Sequence, residues 1–157
     1  MTRQEIKIKH IIFVCTGNIC RSPMAEFLLR DKLGAESEWT VGSAGTFAGN
    51  GMRASREAVD VLAELNIDGS SHRSSFLDGE LVDASTVIVV MTSGHKHHIE
   101  LMYPNAAEKV FLLKSFSRND KGDVRDPIGA STGVYRQIRD EISEALPGLI
   151  EFLDNLK

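Results

Sequence analysis

Cys15 and Arg21 bracket the segment Thr16-Gly17-Asn18-Ile19-Cys20, and Ser22-Pro23 follow directly. A cysteine attacks as its thiolate, although a free thiol has a pKa of about 8.5. Anions are stabilised by a helix N-terminus and by a ring of backbone N–H groups. A tight loop between a strand and a helix supplies both. Gly17 permits such a backbone, and Asn18 tolerates a left-handed conformation. The N–H groups from Thr16 to Ser22 can then bind the oxygens of a phosphoryl group or another oxyanion. Arg21 adds a planar two-pronged donor that lysine does not reproduce. Ser22 can donate its hydroxyl to the sulfur and help the thiolate leave. The chemistry indicated is attack of Cys15 on phosphorus, giving a phosphocysteine intermediate. A nucleotide P-loop is excluded, because no Gly-x-x-x-x-Gly-Lys-Ser/Thr occurs, and neither does Gly-x-Gly-x-x-Gly.

Elements must hold that loop in place. His10 to Val14 is a short apolar, β-branched run and predicts a buried strand. Pro23 suits a first helical turn. Met24, Phe27, Leu28 and Leu33 share one face of the helix that follows. Trp39 to Ala44 predicts a second strand ending at Gly45. Ser55 to Leu65 predicts a helix with Ala58, Val59, Leu62 and Leu65 inward. Thr86 to Met91 gives the strongest strand signal. Ser93 to Met102 reads as a helix closed by Pro104, and Lys109 to Leu113 as a short strand. A loop over 122–133 precedes a long amphipathic helix from Val134 to Leu156. Its inward residues are Ile138, Ile142, Leu146, Leu149 and Leu153, with Pro147 marking a kink or a restart. Alternating strands and helices predict an α/β chain with a parallel sheet covered on both faces. Ligands of such sheets bind beyond the carboxyl ends of the strands, where the Cys15 loop falls.

The 157 residues suit one domain over 1–157, with 1–9 a polar N-terminal extension. A net charge of −4 argues against nucleic acid, and no apolar run is long enough to span a membrane. Two cysteines are too few for a secreted disulfide framework, so a cytoplasmic chain is expected, and it is taken as a monomer. His95, His97 and His98 lack acidic or thiol partners at a shared spacing. They read as surface helix residues rather than a metal site. No cofactor and no metal are expected. His72 is either a polar support near the site or a loop residue.

The run Val14-Cys15-Thr16-Gly17-Asn18-Ile19-Cys20-Arg21-Ser22-Pro23 resembles the low-molecular-weight protein tyrosine phosphatase family, close to its bacterial protein arginine phosphatase branch. Asp126-Pro127, by itself an ordinary turn, resembles the family loop that supplies the general acid. Ser43-Ala44-Gly45-Thr46 resembles the segment whose serine supports the loop asparagine, here Asn18. The resemblance implies a three-layer flavodoxin-like fold with a four-stranded parallel sheet of order 2-1-3-4. It implies catalysis by Cys15, Arg21 and Asp126 without a metal, loop support by Asn18, Ser22 and Ser43, and a phosphorylated protein substrate. Cys20 either packs in the loop or acts as the redox partner of Cys15. Phe47 is either a core aromatic or a wall of the substrate crevice, with Ile19 and Ile128 as further walls.

Substrate choice turns on Ile19 and Ile128. The arginine enzymes carry Thr where this chain has Ile19, and a branched apolar residue suits an aryl ring. That favours phosphotyrosine. The aliphatic Ile128 after Asp126-Pro127, where tyrosine-directed relatives carry aromatics, keeps phosphoarginine as the alternative. Arsenate reduction needs further cysteines after Cys20, and none exists. A non-catalytic phosphopeptide-binding module would more naturally lose Cys15 or Asp126.

Overall fold

A computed structural model describes residues 9–119 and 121–156. Four parallel strands form the sheet: β1 (Lys9–Cys15), β2 (Trp39–Gly45), β3 (Val87–Val90) and β4 (Val110–Leu112). Their order is β2-β1-β3-β4, as the family resemblance implies. Parallel neighbours need crossovers, and helices provide them. These are α1 (Arg21–Leu33), α2 (Arg56–Ala63), α3 (Gly79–Ala84), α4 (Ser93–Met102) and α5 (Thr132–Asp154). Residues 1–8 of the expected N-terminal extension lie outside the described residues, and Lys9 already belongs to β1.

The pleat of β1 divides the core. Ile11 and Phe13 join the cluster beneath α1, α2 and α5, whereas Ile12 and Val14 join the one beneath α4 and Val82 of α3. All four are at most 1% exposed, which is why this strand reads as a continuous apolar run rather than an alternation. β2 and β3 flank β1 on opposite sides, so the chain direction across the sheet reverses there. The crevice at such a switch point, at the strands' carboxyl ends, receives the loop after Cys15.

Three expectations are corrected. α2 stops at Ala63, two residues short, leaving Leu65 45% exposed beyond the helix end, and Val61 rather than Val59 is buried. The sequence reading gave no element between Leu65 and Thr86, but α3 forms there, with Asp78 Oδ1 accepting the Leu81 N–H at 2.9 Å. Of the two readings of Pro147, the restart is not seen: α5 is helical from Thr132 to Asp154. Pro147 lies on the exposed face, where water can satisfy the carbonyl that proline leaves unpaired. Among the described residues no helix is long and apolar enough to cross a membrane.

Gly148, beside it, is fixed by packing. A Cβ there would overlap the backbone carbonyl oxygen of Phe116. Overpacking costs about 1–3 kcal/mol, and the better helix propensity of alanine returns at most about 1 kcal/mol. Gly148→Ala is therefore expected to lower Tm by roughly 2–8 °C. An unchanged or raised Tm in a thermal melt would contradict this packing.

Candidate active site

Cys15 ends β1 and α1 begins at Arg21, so the five residues between them form the loop. Asn18 adopts φ 56°, the left-handed turn that its side chain tolerates. Gly45, at the end of β2, is paired with Cys15. A Cβ on it would overlap the Thr16 carbonyl oxygen and come within 3.0 Å of Asn18 N. Only a glycine lets β2 approach the loop this closely. The N-terminus of α1 has no side-chain cap and no acidic residue in its first turn. Its free N–H groups therefore remain available to an anion.

The Cys15 sulfur is surrounded by donors. Asn18 N–H lies 3.3 Å from Sγ, and Ser22 Oγ lies 2.9 Å from it. Asn18 Nδ2 donates to Ser22 Oγ at 2.7 Å and to Ser43 Oγ at 2.9 Å, and its Oδ1 accepts the Ser75 N–H at 2.9 Å. Every hydrogen-bonding atom of that amide group is engaged. Because Ser22 Oγ accepts from Asn18, its own hydrogen is free to point at the sulfur. Ser43 likewise accepts from Asn18 and donates to Glu26 Oε1 at 2.5 Å. A buried carboxylate thus anchors a chain of oriented dipoles that ends at Cys15. Arg30 pairs with Glu26, and His72 Nε2 donates to the Asn18 carbonyl at 2.7 Å. His72 is therefore in contact with the loop's backbone.

Arg21 is buried at the start of α1. Nη1 donates to the Val124 carbonyl at 3.0 Å, and Nη2 stands 3.8 Å from Asp126 Oδ2. Its Nε is buried without a protein hydrogen-bond partner, a costly arrangement that a bound oxyanion relieves. Asp126 is fixed by its Oδ1, which accepts the Ile128 N–H at 3.0 Å. Cys15, Thr16, Gly17, Ile19, Cys20, Arg21, Asp126 and Ile128 line one cleft of about 150 Å³. A larger cavity of about 580 Å³ lies at the opposite end of the sheet among Phe27, Trp39, Ile67 and Asp68. No thiol lines it, so size does not mark the reactive site here.

The remaining candidate residues sit around the loop. Phe47 is not a core aromatic: it is 75% exposed and leans on His98 with ring centroids 5.6 Å apart. Its N–H bonds the Thr16 carbonyl at 3.0 Å, which places it beside the loop. His95 is not a surface residue. It is buried, with Nε2 2.8 Å from Thr16 Oγ1. Cys20 is packed between Tyr135 Oη at 3.2 Å and Ser55 Oγ at 3.5 Å. Burial pushes its thiol pKa up, and burial pushes Tyr135 up to about 12. Cys15 and Cys20 are both free thiols. Ser75, His95 and Tyr135 touch the loop or its cysteines, and Glu26 reaches it through Ser43, without any sequence signal that the spacing carries.

The sequence profile described as Low molecular weight phosphotyrosine protein phosphatase matches residues 10–157. The chain belongs to this family. It is 47% identical over 143 residues to a protein-arginine-phosphatase of Geobacillus stearothermophilus, covering 91% of this chain and 95% of that one. The solved structure of an arginine phosphatase from that organism superposes with a TM-score of 0.85 at 45% identity, over 93% of each chain. A probable low-molecular-weight protein-tyrosine-phosphatase of Ralstonia nicotianae is 40% identical over 139 residues, 88% of this chain and 87% of its own. An arginine phosphatase solved as a cysteine-to-serine variant carries a phosphorylated active-site serine. It matches with a TM-score of 0.84 and 40% identity, covering 93% of this chain and 96% of that one. Low-molecular-weight phosphatases that bear both substrate names are therefore similar to this chain at comparable identity.

Proposed function

We propose that this chain hydrolyses phosphotyrosine in proteins, through a phosphocysteine on Cys15 and without a metal. The observation that carries the reading is the Cys15 sulfur, held by the Asn18 N–H and facing Ser22 Oγ, in one cleft with Arg21 and Asp126. The thiolate attacks phosphorus in line, forming an S–P bond as the P–O bond to the leaving group breaks. Loop N–H groups and Arg21 stabilise the equatorial oxygens. Asp126 gives its proton to the leaving oxygen. In the second step Asp126 takes a proton from water, which attacks phosphorus. Phosphate leaves, and Ser22 donates to the departing thiolate. The phosphoserine in the relative's variant supports a covalent phosphoryl-enzyme route.

Ile19 and Ile128 favour an aryl phosphate. Both line the cleft, and neither offers a carboxylate or hydroxyl to a guanidinium group. The high identity to arginine phosphatases supports phosphoarginine as the second reading. Initial rates on a phosphotyrosine and a phosphoarginine peptide, measured side by side, decide between them. The tyrosine peptide is expected to have the higher kcat/KM by at least about tenfold, the scale of one good apolar contact. Ile19→Thr is expected to shift that ratio toward arginine by about tenfold. A wild-type preference for the arginine peptide would overturn the tyrosine reading and leave the Cys15 chemistry standing.

A further inference from the structure

His95 sits in the first turn of α4, and the reaction above gives it no role. Both of its ring nitrogens are nevertheless engaged: Nε2 lies 2.8 Å from Thr16 Oγ1, and Nδ1 lies 3.0 Å from Thr92 Oγ1. Thr92 Oγ1 also accepts the backbone N–H of His95 at 3.1 Å, capping α4. The Thr92 hydroxyl hydrogen is then available to Nδ1, and the oxygen's second lone pair allows the reverse direction as well. In the tautomer with the hydrogen on Nε2, the neutral ring donates it to Thr16 Oγ1. The hydrogen of Thr16 is left free, and Thr16 lines the cleft with Cys15 and Arg21.

The neutral ring that this pattern needs is favoured where His95 lies. Burial, and then the positive charge of Arg21, lower it to about 4. Asp123 and Asp126 act in the raising direction, and His98 acts with Arg21.

We propose that Thr16 is a catalytic hydroxyl donor to the oxyanion held over Cys15, and that His95 is the positioning residue that aims it. The proposal rests on the phosphatase reading of the Cys15 loop. Backbone N–H groups bind whichever oxyanion fits and require no particular side chain at position 16. An unrestrained threonine hydroxyl would divide itself among its staggered positions. The bond from His95 removes that choice before the ligand arrives, which is preorganisation rather than an added contact.

The test uses inorganic phosphate as the probe, by titration calorimetry, together with kcat and KM for p-nitrophenyl phosphate. Thr16→Val keeps the shape and removes the donor. It is expected to weaken phosphate binding about tenfold, the scale of one hydrogen bond to an anion. Thr16→Ser, which restores a hydroxyl, should stay within about threefold of wild type. His95→Phe should weaken binding in the wild-type background and add nothing in the Thr16→Val background, since it acts through Thr16. Where His95→Phe does not fold, the valine–serine comparison decides alone. Phosphate binding by Thr16→Val equal to wild type would overturn this inference only. Equal losses from His95→Phe in both backgrounds would overturn the positioning role. Wild-type protein that binds no phosphate would overturn the inference and the loop reading together.

Discussion

Cys15→Ser is expected to lower turnover of an aryl phosphate by at least about 10⁴-fold, the scale seen when a covalent nucleophile is removed. Phosphate binding should meanwhile stay within about threefold, because most donors to the anion are elsewhere. The reasoning starts from the loop. The Asn18 N–H, the Arg21 guanidinium and the uncapped first turn of α1 are independent of the atom at the tip of residue 15. A serine oxygen fits beneath them. What it lacks is the ability to exist as an anion near neutral pH and to leave phosphorus readily in the second step. The dipole chain from Glu26 through Ser43, Asn18 and Ser22 serves a sulfur anion and cannot make an alkoxide of comparable reactivity. Stopped-flow turnover and phosphate calorimetry on one preparation give both numbers. Turnover within about tenfold of wild type would overturn the assignment of Cys15 as nucleophile.

The two halves of the site differ in how far the sequence displays them. The Cys15–Ser22 loop is legible because its chemistry is local. One strand end, one glycine, one left-handed asparagine and one helix start are consecutive in the chain, and each residue type has its own reason to be there. β1 is legible because Ile11 to Val14 are buried on both faces, so burial appears directly as an apolar run. α3 is not legible, because six residues hold too little period to separate from a loop. His95 was misread for a related reason. Its neighbours Ser93, Gly94, Lys96, His97 and His98 make α4 look solvated. The residue is buried only because Thr16 and Thr92, 79 and 3 positions away, satisfy both ring nitrogens. Glu26 follows the same rule: a carboxylate on the inner side of α1 is costly until Ser43 and Arg30 arrive to pair it. Phe47 departs in the other direction from its core reading. Its apolar ring suggested the core as one alternative, but it is exposed and rests on His98. Positions decided by a tertiary partner carry no mark in their own neighbourhood.

Asp126 joins the site from the far end of the chain, and its replacement carries the second large effect. Asp126→Asn is expected to lower kcat/KM by about 10²–10⁴-fold for phosphate esters of poor leaving groups. For p-nitrophenyl phosphate, whose leaving group needs little protonation, the loss should be at least about tenfold smaller. The carboxylate stands 3.8 Å from Arg21 Nη2, too far for a hydrogen bond, and is tethered through Oδ1 to the Ile128 N–H. A phosphoryl group bound to the Arg21 fork would leave Oδ2 facing the leaving atom, with Oδ1 still held. The side chain is 47% exposed, so water can reach it once the leaving group has gone. One residue can therefore act first as acid and then as base. Asparagine keeps the size and can keep the Ile128 contact through its carbonyl oxygen, so a loss in the variant reports the proton rather than the fold. Plotting log kcat/KM against leaving-group pKa for a series of aryl phosphates separates the roles. A steeper dependence in the variant supports the acid, whereas an equal loss across the series would assign Asp126 to binding alone.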